Sequence, residues 1–300
     1  MPESIVDAAV LSSISHLELI ARQAVEGALS GLHHSHFMGR NVEFSEHRLY
    51  HPGDELRLID WRAYAKTDRF HVKLFEEDTN LRAMILTDMS GSMRFGETGK
   101  SKLLYAQQLT ASLSHLILSQ GDSVGVLVFD DIVRSYIPPR NRTDQWGGVL
   151  DILTNTVMSN DESAIADVLA ELGEVLKKRG LVILVSDLID DPDRVLQNLA
   201  LLKKSHQEVL VFHILSPEEI ELPFYGTVEF HPLEGESDSM RTVPRRLQKK
   251  YQERVQRFLR RYREGCVEFG IEYNLLRTDQ PLEKVLREYL QRRLRTRNRS

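Results

Sequence analysis

The chain has 300 residues, of which 41% are hydrophobic and 28% charged, with a formal net charge of −5. That is an ordinary globular balance with enough chain to bury a substantial core. The single cysteine, Cys266, excludes an internal disulfide and reads as a small buried hydrophobe, and no stretch approaches the roughly 20 apolar residues of a membrane span. The start, MPESIVDAAVLSSIS, lacks a basic segment followed by a long apolar one, so it does not read as a secretory signal and a cytoplasmic location is expected. The charge is unevenly spread. Pro244–Glu264 carries nine Lys/Arg against two Glu, and 284–300 carries seven against one, so the C-terminal part is basic and the body acidic.

In chain order, the apolar spacing of Ile14, Leu17, Ile20, Ala21, Ala24, Val25 and Ala28 predicts a helix over Ile5–Ser30, stopped by Gly31. His33, His34 and His36 follow in a polar loop, without a Cys or acidic partner at metal-ligand spacing. Val42–Thr79 is a small β-rich element. Pro52-Gly53-Asp54 marks a turn, and Phe70, Val72 and Leu74 alternate as a strand does. Its charged and aromatic residues Arg48, Asp54, Arg57, Asp60, Trp61 and Arg62 form either an internal ion-pair lattice or a partner-docking surface. The expected division is 1–79 for the first helix and this element, and 80–300 for the main domain.

Leu81–Phe95 is the chemical centre. A mostly apolar run to Thr87 reads as a buried strand and ends in Asp88, which opens D-x-S-x-S with Ser90 and Ser92; LLYAQQLTASLSHLIL then reads as a helix. In an open α/β sheet, ligands bind at the carboxyl ends of strands where the strand order reverses. One carboxylate and two hydroxyls suit a hard cation such as Mg²⁺, provided the backbone curls around it, which Gly91 is expected to permit.

Beyond it, SVGVLVFDD is a buried strand paired with Ile132–Ile137 as a hairpin that Pro138-Pro139-Arg140 ends. A short helix is expected over Asp144–Asn155. Another runs from Ile165 to Leu176, with Ser159, Asp161 and Ser163 as candidate caps. After Gly180, Leu181–Val185 is a second buried strand ending in Ser186-Asp187. Then come a helix over Val195–Lys204, a strand over Glu208–Leu215, a Pro-containing turn, an edge strand over Tyr225–His231, and an amphipathic helix over Arg245–Arg263. That helix has Leu247, Tyr251, Val255, Phe258 and Tyr262 on one face. A last strand, Val267–Leu276, and a last helix, Pro281–Arg295, complete the chain. Alternating strands and helices predict a mostly parallel α/β sheet with helices on both faces.

D-x-S-x-S after a buried strand resembles the metal-ion-dependent adhesion site of von Willebrand factor A domains. A second resemblance is more specific. Glu43, Phe44, Glu46, Arg48, Tyr50, then Pro52, Gly53, Asp54, then Arg57, Ile59, Asp60, Trp61, then Ala65, Lys66 and Thr67, running into the D-x-S-x-S strand, are similar to the large bacterial family known as domain of unknown function fifty-eight. Lys66 departs from the Arg expected there. The resemblance spans about residues 30 to 290 and implies a von Willebrand A-like, Rossmann-like fold. It implies a metal site (Mg²⁺, or Mn²⁺ or Ca²⁺) in which Ser90, Ser92 and Ser163 bind directly and Asp88 and Asp187 through water. Ser163 stands where such sites normally have Thr. A sixth position stays open for a carboxylate from a client protein. Asp190 and Asp191 lie near, to tune charge or cap the following helix. The implied partner is a MoxR-family AAA+ ATPase, with the chain acting as an adaptor in chaperone-like assembly or metal insertion.

Catalysis is not expected. A dehalogenase-type phosphatase needs a second Asp where Ser90 stands, and no G-x-S-x-G or G-x-x-x-x-G-K-[ST] pattern occurs. The alternatives are nucleic-acid binding through the basic C-terminal helices and, more remotely, a metal-dependent hydrolase.

Overall fold

The computed structural model describes residues 8–30, 47–49, 71–73, 81–96, 100–157, 164–176, 178–231, 233 and 239–297. They belong to two units, Phe37–Asn80 and the remainder. In the smaller, β1 (His47–Leu49) and β2 (His71–Lys73) pair antiparallel with Arg48 opposite Val72. Asp54, Arg57, Asp60, Trp61 and Arg62 lie outside the described residues, as do His33, His34 and His36.

The larger unit begins with α1 (Ala8–Ser30), which the sequence reading grouped with the β-rich element. Its small buried stripe, Leu17, Ala21, Ala24, Val25 and Ala28, packs on helices of the main sheet. There follow β3 (Arg82–Asp88), one 3₁₀ turn (Gly91–Arg94), α2 (Lys102–Ser119), β4 (Ser123–Phe129), β5 (Val133–Arg140), α3 (Gln145–Asn155) and α4 (Ile165–Val175). Then come β6 (Gly180–Ser186), α5 (Pro192–Lys204), β7 (Gln207–Leu215), α6 (Pro217–Glu221), β8 (Val228–Phe230), β9 (Met240–Thr242), α7 (Pro244–Glu268), β10 (Glu272–Arg277) and α8 (Leu282–Arg297).

Six strands form one sheet in the order β5–β4–β3–β6–β7–β10, parallel except that β5 runs against β4. From β3 the chain moves out through β4 to β5, then returns to β6 and moves out the other way. The reversal therefore falls between β3 and β6, and the crevice at their carboxyl ends is where such a sheet holds a ligand. Both strands are apolar runs buried along almost their whole length, as parallel strands covered on both faces must be. One face carries Met84, Leu86, Phe129, Val182, Leu184 and Val211 against α4, α5 and α7, each such side chain worth about 1.5–3 kcal/mol on burial. The other packs on α2, α3 and α8, with the Thr87 and Thr110 hydroxyls 2.8 Å apart and Phe212 edge-on to Tyr289, and α1 lies on those helices. The expected α/β architecture with helices on both faces is what the structure has.

Some element bounds differ from expectation for local reasons. β5 continues through Pro138 and Pro139 because it is an edge strand with an irregular register opposite Val124 and Val126, where missing donors cost little. Between them Gly125 is required, since a Cβ there would lie 2.6 Å from the Ile137 carbonyl oxygen. α7 runs to Glu268 instead of yielding to a strand at Val267, and Gly270, at φ +65°, makes the turn into β10. The expected edge strand at 225–231 shrinks to β8, which pairs with β9 in a sheet of its own. The turn after β7 contains α6, started by a reciprocal capping box between Ser216 and Glu219.

Candidate metal centre

The topology brings Asp88, at the end of β3, and Asp187, just after β6, to the same edge, both fully buried. The groups that hold Asp88 include an amide and a hydroxyl. Its Oδ1 accepts from the Ser90 amide at 2.9 Å and its Oδ2 from the Ser186 hydroxyl at 2.6 Å. The Ser90 and Ser92 hydroxyl oxygens, in the buried turn that follows, are 3.1 Å apart. The curl does not draw on glycine's freedom, because Gly91 starts an ordinary 3₁₀ turn without a positive φ.

Burial and then the charge of Asp187 push the Asp88 carboxyl up to about 7, although the Ser186 and Ser90 hydrogen bonds oppose the rise. A carboxylate so placed calls for a proton or a cation. The hydroxyl pair suits a cation. Oxygens on neighbouring corners of an octahedron around Mg²⁺ lie about 3 Å apart, close to the observed 3.1 Å. Asp88, Ser90 and Ser92 therefore fit the donor set of a small hard cation. Among the described residues no three His, Cys, Asp or Glu side chains cluster as a metal site.

Asp187 is held differently. Its Oδ2 is 2.6 Å from the ammonium of Lys102, which also reaches Glu219 Oε1 at 2.5 Å. Lys102 is fully buried at the first position of α2, where the helix dipole disfavours a cation. Burial pulls its pKa down, but Asp187 and Glu219 together hold it above the ordinary lysine value, so it stays charged. Glu219 is fixed in turn, its Oε2 accepting from the Ser216 amide at 2.8 Å and its backbone carbonyl from the Tyr251 hydroxyl at 2.7 Å. Two carboxylates, Asp187 and Glu219, thus share the one Lys102 ammonium.

Ser163 lies outside the described residues. The residues after it are fixed over the crevice, Ala164 N–H donating to the Asp130 carbonyl at the end of β4 (3.1 Å) and Ala166 N–H to Asp190 Oδ2 beyond β6 (2.9 Å). Asp190 thereby caps α4. Asp191 caps α5 by accepting from Asp193 N–H. Sequence reasoning missed Lys102, Glu219 and Ser186. Only Glu219 had a local signal, the S-x-x-E capping box.

Residues 46–261, more than half of the chain, match the family described as "Protein of unknown function DUF58". The chain belongs to this family. Curated relatives include the uncharacterized protein Rv1480 of Mycobacterium tuberculosis and the uncharacterized protein Mb1516 of Mycobacterium bovis. Each is 29% identical over 233 residues, covering 76% of this chain and 72% of the relative. Solved structures similar to it include the hypothetical protein BatB of Bacteroides thetaiotaomicron (TM-score 0.46, 16% identity, 71% of this chain and 98% of that one). An aerotolerance-related membrane protein of Bacteroides fragilis scores 0.46 at 17% identity, covering 70% and 97%. The SpRpn10 VWA domain scores 0.37 at 12% identity, covering 69% and 94%. Among the described residues of this DUF58 protein no helix is long and apolar enough to cross a membrane.

Proposed function

We propose that this DUF58 protein is a non-catalytic binding module that engages an acidic group of a protein partner through a Mg²⁺-type site at the crevice between β3 and β6. The observation that carries this reading is the buried Asp88 carboxyl, its Oδ1 held by the Ser90 amide, followed by two buried hydroxyl oxygens 3.1 Å apart. Asp88, Ser90 and Ser92 would hold the ion, with Ser163 as the further hydroxyl of the expected set and Asp187 as its expected outer carboxylate. When bound, the cation supplies an open coordination position for a carboxylate. The chain's own contribution is to hold the oxygens in place and keep the turn buried. Catalysis has no support from the neighbouring groups. Burial pushes the Cys266 thiol up to about 12, and His213 is kept neutral and paired with the Tyr273 hydroxyl at 2.8 Å.

The partner implied by the family resemblance is a MoxR-family AAA+ ATPase, and the module serves as an adaptor that presents a client to it during assembly or metal insertion. The test is capture from native lysate with tagged wild type and Asp88→Ala, each in Mg²⁺ and in EDTA, read by mass spectrometry. An AAA+ ATPase retained only by wild type in Mg²⁺ is the expected result. Equal retention in all four samples would place the interface away from the crevice. The second reading, nucleic-acid binding, draws on the exposed arginines of α7, such as Arg254, Arg257 and Arg260, whose helix meanwhile buries Leu259, Tyr262 and Cys266 in the core. Nucleic acid in the eluate, with affinity falling steeply with salt, would favour it.

A further inference from the structure

Helix α7 is tied down at two points beside the crevice. The Tyr251 hydroxyl donates to the Glu219 carbonyl at 2.7 Å and the Tyr262 hydroxyl to the Leu188 carbonyl at 3.0 Å. Between these anchors, Arg254, Arg257, Phe258 and Arg261 recur at helical spacing and share one face. With Pro192 and Asp193, at the start of α5, they line a cavity of about 350 Å³. Phe258 is fixed in place, edge-on to His213 and to Tyr262 with ring centroids 5.5 and 5.1 Å apart.

The cavity is positively charged, with three arginines against one aspartate. Arg261 is committed, donating to Asp193 Oδ1 at 2.5 and 3.0 Å. Arg254 and Arg257 are exposed and make no ion pair or side-chain hydrogen bond among the described residues. The first amides of α5 are taken by Asp191, which accepts from Asp193 N–H and Arg194 N–H, so an anion in this cavity is held by the arginines. We propose that this cleft docks an acidic segment of a protein partner, its carboxylates paired with Arg254 and Arg257. A guanidinium matches a carboxylate through two parallel hydrogen bonds. Arginines one helical turn apart have Cβ atoms about 5–6 Å apart. Acidic side chains at alternate positions of an extended segment are spaced about 6.7 Å, within reach of both. Asp193 lines the cleft and Asp191 caps the helix beside it, so the basic surface stops at α5. That suits a short acidic segment better than the continuous phosphate track of a nucleic acid. Pro192 follows Asp187 by five residues, so the cleft begins at most about 18 Å from the crevice. The site is separate from the metal centre and does not depend on it.

The test uses charge-matched variants of the same helix. Arg254→Gln/Arg257→Gln empties the cleft of its two uncommitted cations. Arg260→Gln/Arg263→Gln removes two exposed arginines at the same spacing that do not line it. A fluorescein-labelled peptide of alternating Glu and Ser is titrated with the full chain in EDTA, at about 150 mM salt so that loose surface attraction is screened. Fluorescence anisotropy reads the affinity and circular dichroism confirms folding. The cleft pair is expected to weaken binding roughly tenfold or more. The control pair should stay within about threefold of wild type.

Equal loss in both pairs would mean diffuse attraction to a basic helix and would overturn the cleft. So would absence of peptide binding by wild type, or equal binding of the same peptide with Gln in place of Glu. Tighter binding of a single-stranded oligonucleotide of equal charge, lost in the cleft pair, would overturn the acidic protein segment as occupant in favour of nucleic acid. Because the titration is run in EDTA, each of these outcomes leaves the metal centre untouched, and failure of the metal centre leaves this site standing.

Discussion

Two neighbouring strands, β3 and β6, deliver an aspartate to the same edge at the same depth, and the two carboxylates meet different partners. Asp187 meets an ammonium, and its charge is balanced inside the protein. Asp88 meets hydroxyls, an amide and the charge of Asp187, and its carboxyl is pushed up to about 7. Burial is complete in both. Where depth and position at a strand end are the same, the partners supplied by the rest of the fold set the environment of each carboxylate.

The largest effect expected from breaking this contrast is on the β6 side. Lys102→Met strands two carboxylates without their cation and should cost about 3–5 kcal/mol in urea unfolding. On the β3 side the same kind of change should do the reverse. Asp88→Asn removes the repulsion with Asp187 and keeps an acceptor for the Ser90 amide, so its unfolding midpoint in EDTA at pH 8 should equal or exceed that of wild type. If both variants lose stability equally, the two ends are not distinct.

The pH dependence sharpens the comparison further. Without metal, Asp88 is protonated more readily folded than unfolded, so its contribution to stability falls as pH rises from about 3.8 to about 7. His213, one strand over and paired in register with Ser186, behaves oppositely. Burial lowers its pKa from 6.5 to about 3, so the unfolded chain takes up the proton first and stability is lost as pH falls through that window. Each term changes stability by at most about 1.4 kcal/mol per pH unit. Unfolding free energies of His213→Phe and Asp88→Asn between pH 4 and 8 should flatten the two slopes separately. A smaller effect belongs to the turn after Asp187. The Tyr262 hydroxyl donates to the Leu188 carbonyl at 3.0 Å, where Leu188 sits at φ +58°. Tyr262→Phe should cost about 1 kcal/mol, read from the same urea curves.

The central sheet and the meeting of Asp88 with Asp187 were legible in the sequence because parallel strands buried on both faces leave continuous apolar runs, and each run here ends in an acid. The D-x-S-x-S turn was legible for the same reason, being local. Lys102 was not. Its partners lie 85 and 117 residues away, and a buried ion pair over such separations leaves no periodicity or spacing to read. The three-residue strand β9 and the five-residue helix α6 were too short to stand out, and Pro138-Pro139 concealed the length of an edge strand that tolerates prolines.

Isothermal titration of Mg²⁺ into wild type and Asp88→Asn at pH 7.5 tests the site most directly. Wild type is expected to take up one equivalent and Asp88→Asn none, with the variant folded by circular dichroism. Absence of binding by wild type, or uptake by the variant with unchanged affinity, would contradict a metal centre built on Asp88.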